Sequence, residues 1–63
     1  MQDMQRHLEK LRTDAAECAL IRDLATEPTK RELFARLHAH LSTLASEVER
    51  AIVEQSGPGR LAE

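Results

Sequence analysis

Between positions 34 and 51 the chain reads Phe34-Ala35-Arg36-Leu37-His38-Ala39-His40-Leu41-Ser42-Thr43-Leu44-Ala45-Ser46-Glu47-Val48-Glu49-Arg50-Ala51. Phe34, Leu37, Leu41, Leu44, Val48 and Ala51 recur in alternating steps of three and four, without a miss. That spacing returns to one face of an α-helix. In heptad terms Phe34, Leu41 and Val48 hold one seam position, and Leu37, Leu44 and Ala51 hold the other. Leu33, Ala45 and Ile52 widen the stripe on its flanks. Glu32 and Arg36 form an i,i+4 pair in the better orientation, which adds a few tenths of a kcal/mol.

Downstream, Gln55-Ser56-Gly57-Pro58-Gly59 is a stop signal. Glycine suits the residue just past a helix end, and proline cannot continue the helix. Residues 56–63 are therefore expected to be a flexible tail. Upstream, Pro28 lacks an amide hydrogen and clashes with the turn before it, so a preceding helix must stop short of it. Proline fits the first position of a new helix, which makes Thr26 or Glu27 the cap. Thr29 and Glu32 also have capping-box spacing, so the start is open by two or three residues.

Before that break, Met4, Leu8, Leu11, Ala15, Cys18 and Ala25 recur at helical spacing, with Arg22 interrupting the series. Glycine and proline are absent from the whole stretch, and good helix formers fill it. The spacing predicts helix 1 at about 3–25, a turn at 26–29 and helix 2 at about 29–55, together one helical hairpin over 1–55. A short turn makes adjacent helices antiparallel. Each helix is then ~35 Å long at 1.5 Å per residue.

The composition sharpens that expectation. The chain has 63 residues, of which 41% are apolar and only 2% aromatic. One small domain is the ceiling. A walled enzyme pocket is not expected, because such pockets enclose ~300–1,000 Å³. The single Cys18 excludes an internal disulfide framework and fits a reducing, cytoplasmic setting. No uncharged apolar run approaches the ~20 residues of a membrane span. Met1-Gln2-Asp3-Met4-Gln5-Arg6 lacks the pattern of a signal peptide. Without disulfide, metal or aromatic core, oligomerisation is the remaining source of burial.

Helix 1 points the same way. Cys18-Ala19-Leu20-Ile21, followed by Leu24 and Ala25, is apolar around the whole circumference. Such a helix is normally buried all round, and one partner helix cannot do that. Leu20 and Leu24 lie off the seam of Leu8 and Leu11, so a second apolar surface touched by another chain is expected there. A symmetric dimer of hairpins, an all-α four-helix bundle, is the simplest closed solution. Its core and interface would draw on Leu8, Leu11, Cys18, Leu20, Ile21 and Leu24 of helix 1. Helix 2 would add Phe34, Leu37, Leu41, Leu44, Val48 and Ile52.

Candidate chemistry is sparse. His38 and His40 are two apart, diverge by about half a circle on a helix and cannot share one metal ion. They read as boundary histidines at a helix interface, with His7 remote from both. Cys18 on an apolar face behaves as a small hydrophobe; Arg22 one turn away keeps open a reactive thiol. Arg22 itself either sets register or snorkels out of the interface. Lys30, Arg31 and Arg36 form a small basic patch, diluted by Glu27 and Glu32 and without interleaved aromatics. Paired carboxylates, a nucleophile elbow and a Gly-rich phosphate loop are absent, so no catalytic, cofactor or metal residue is expected.

Thr26-Glu27-Pro28-Thr29-Lys30-Arg31, with Leu44-Ala45-Ser46-Glu47-Val48-Glu49, resembles a pattern in very small bacterial helical-hairpin proteins. There a T-[DE]-P-x-x-R turn joins a first helix to one ending in LA-x-E-x-E. The resemblance spans roughly residues 8–54. It implies a hairpin and carries no assigned activity. The expected function is a non-enzymatic protein-binding or adaptor module acting as a homodimer. The alternatives are a small nucleic-acid-associated regulator using the basic patch, and a redox or metal sensor using Cys18 with a histidine.

Overall fold

A computed structural model of the chain describes residues 2–56. It contains two helices, α1 (Gln2–Leu24) and α2 (Pro28–Ser56), packed against each other as an antiparallel hairpin. At 1.5 Å per residue the two run about 35 and 43 Å. No strand occurs among the described residues. The expected tail at 56–63 lies outside the described residues apart from Ser56, which closes α2.

The turn is built as the sequence chemistry requires. Pro28 is the first residue of α2, within the range expected for the start at about 29. Glu27 is its cap: its carbonyl accepts the first helical bond, from the Arg31 amide at 3.0 Å. At the other side, the Ala25 amide is shared between the carbonyls of Ile21 and Arg22, at 2.9 and 3.3 Å. Such tightening is common in a last helical turn. The carbonyl of Ala25, just past the helix, is taken by Arg31 Nη2 at 2.9 Å. One arginine side chain thus ties the end of α1 to the first turn of α2.

The contact between the helices runs along small residues. Among the described residues, Leu8, Ala15, Ala25 and Ala45 are the buried apolar ones. Met4, Leu11 and Cys18 on α1, and Phe34, Leu41, Leu44, Val48, Ala51 and Ile52 on α2, are partly buried. One expectation is corrected here. Phe34, Leu41 and Val48 keep their seam position and Leu44 and Ala51 are partly buried, but Leu37 is exposed, while His38, Ala45 and Ile52 also turn toward α1. Ala45, read as a flank, is only 7% exposed, whereas Leu37 is 37% exposed. The cause is size. Ala15 and Ala45 are small buried residues, and the separation of packed helices follows the side chains at the contact. Leu37 is turned to the edge of the contact, and Leu44 is partly buried beside it.

Candidate functional site

The two open edges of the hairpin differ. Helical periodicity sets neighbours in sequence about 100° apart, so residues just before and after a contact residue fall on opposite edges. On one edge, Ser42 and Ser46 of α2 join Ala16 of α1 beside the Ala15–Ala45 line, forming an open groove of about 400 Å³. Arg12 and His38 also line it. On the other edge lie Leu33, Leu37 and Leu44 of α2, with Cys18 and Ile21 of α1.

Two polar links between the helices lie in the groove. Arg12 Nη2 lies 3.1 Å from Glu49 Oε1, both side chains being 55% exposed. An exposed pair of this kind contributes about 0.2–1 kcal/mol. His38 Nδ1 lies 2.8 Å from the carbonyl oxygen of Ala15, so this nitrogen carries a proton and donates. His38 is therefore the interface histidine, while His40 and His7 are exposed. The His38 bond goes to a main-chain oxygen, not to a carboxylate or hydroxyl. Glu49 is held by Arg12. This arrangement fixes register between helices; it does not assemble a nucleophile with a base.

The remaining candidates divide. Cys18 is a free thiol, partly buried on the seam side of α1. Arg22 is partly buried and reaches Asp23 Oδ1 at 3.0 Å, staying at the rim of the contact near the C-terminus of α1. Of the basic patch, Arg31 is engaged by the Ala25 carbonyl. Lys30 and Arg36 are exposed. Leu20 and Leu24 are 58% and 71% exposed on the back of α1, away from α2, and Ile21 is also exposed. Among the described residues no group of three or more His, Cys, Asp or Glu side chains has the arrangement of a metal site.

Arg12, Glu49 and the His38–Ala15 bond carry no separate signal in the sequence. Each depends on which residues of the two helices stand level, and that is known only once the contact line is known. The chain matches no family model, no curated protein and no solved structure. No described helix is long and apolar enough to cross a membrane.

Proposed function

We propose that this chain is a non-enzymatic interaction module that works as a homodimeric four-helix bundle and binds another protein. One observation carries the reading. Among the described residues no large side chain is fully buried, while six large apolar side chains are exposed. A chain this small has a marginal core even when well packed, and assembly is the usual remedy. The exposed leucines supply the surface for it: large apolar patches rimmed by polar residues mark protein-binding sites.

Leu20 and Leu24 stand one turn apart near the hairpin turn, on the side of α1 opposite α2. Expected at the bundle interface, they would instead remain outside a bundle formed along an edge of the hairpin, and so suit a second, protein partner. A reducing, cytoplasmic setting belongs to this reading, supported by the free and partly shielded Cys18 thiol. Sedimentation equilibrium at micromolar concentration tests the assembly. The expected mass is that of two chains; a fully helical single chain overturns the reading.

A further inference from the structure

We infer that the edge carrying Leu37 and Leu44 is where a second copy of this chain docks, an inference that rests on the bundle reading above. α2 bears two overlapping apolar rows that share Phe34, Leu41 and Val48. The row completed by His38, Ala45 and Ile52 is spent on α1. Of the row completed by Leu37, Leu44 and Ala51, Leu37 is exposed while Leu44 and Ala51 are only partly buried, and its three-four spacing continues unbroken for the length of a coiled-coil seam. A seam of that regularity is the pattern that receives a further helix.

Size favours a whole hairpin as the occupant. Two helices about 8–10 Å apart present an edge face about 20 Å wide over about 35 Å of length, roughly 700 Å² in outline. The accessible surface of a ridged face exceeds its outline. A stable dimer needs about 800 Å² from each partner. A two-fold copy sets the same leucine row against itself, which is what an isologous interface requires. The α1 rim of this edge carries Lys10 and Asp14 as an ion pair at 3.8 Å, so it presents both signs to an identical surface. The opposite edge, with Arg12, Glu49, Ser42 and Ser46, has no such leucine row and stays in water.

Mixing isotope-labelled and unlabelled full-length chains and recording only between-copy nuclear Overhauser contacts tests this on the unaltered protein. Contacts at the Leu37 and Leu44 methyls are expected. A dimer whose contacts fall instead on Ala16 and the groove, or on Leu20 and Leu24, overturns this inference and leaves the bundle reading standing. A monomer overturns both. As a second arm, Leu37→Glu with Leu44→Glu should raise the dimer Kd by about a hundredfold or more, since buried central anchors dominate an interface. Ser46→Glu should change it by less than about threefold, because exposed rim positions carry little binding energy. Equal effects from the two edges also overturn the inference.

Discussion

His38 of α2 donates its Nδ1 proton to the main-chain carbonyl of Ala15 in α1, across 2.8 Å. The same carbonyl lies inside a helix, where it already serves as an acceptor for its own chain turn. The histidine bond therefore adds to a satisfied group and does not rescue an orphan. Its value is positional: it fixes how far α2 can slide along α1.

His38→Ala should lower stability by about 1 kcal/mol, the net worth of one such bond. Urea unfolding followed by circular dichroism reads the change. Nitrogen-15 spectra of the imidazole should show Nδ1 protonated. An Nε2-only tautomer, or an unchanged urea midpoint in the alanine variant, would remove the bond from the account.

Ala45→Leu should destabilise by about 1–3 kcal/mol, because the three extra carbons have no room at this buried position. Ala39→Leu, at an exposed position of the same helix, should stay within about 0.5 kcal/mol. If the two variants behave alike, the small-residue contact line is wrong.

The regular part of the fold was legible in the sequence. Pro28 and the periodic rows on either side require two helices and a tight reversal. The register was not. Phe34, Leu37, Leu41 and Leu44 form the better heptad by hydrophobicity, yet His38 and Ala45 take the inner line. Hydrophobic spacing locates a stripe, but a wide stripe leaves open which residue sits at its centre. The size of the residues opposite, here Ala15, makes that choice. For the same reason Arg12 and Glu49 escaped notice: their pairing is a property of two helices in register, and neither helix alone announces it.

Arg12 and Glu49 should show a coupling of about 0.2–1 kcal/mol in a double-mutant cycle. The coupling should shrink as salt rises from 0.01 to about 1 M, since exposed charges are screened. A coupling that survives high salt would mean the pair is shielded from solvent, against its 55% exposure.

Arg31→Ala should cost about 1–2 kcal/mol through the lost bond to the Ala25 carbonyl, which then has to find water. Lys30→Ala, next to it and exposed, should fall within about 0.5 kcal/mol. Thermal unfolding distinguishes them. Equal, small effects would return Arg31 to the surface patch and strengthen a nucleic-acid role for it.

The bridges across the hairpin are nested. Arg31 reaches Ala25 across six residues of chain, His38 reaches Ala15 across twenty-three, and Arg12 and Glu49 span wider still. Closing a wide loop costs little more once a narrower one inside it is shut. The three bridges thus lie at increasing distance from the prolyl bend, toward the open pole of the hairpin. Fraying should begin at the pole farthest from the bend, so amide exchange should be faster there than beside Ala15 and His38.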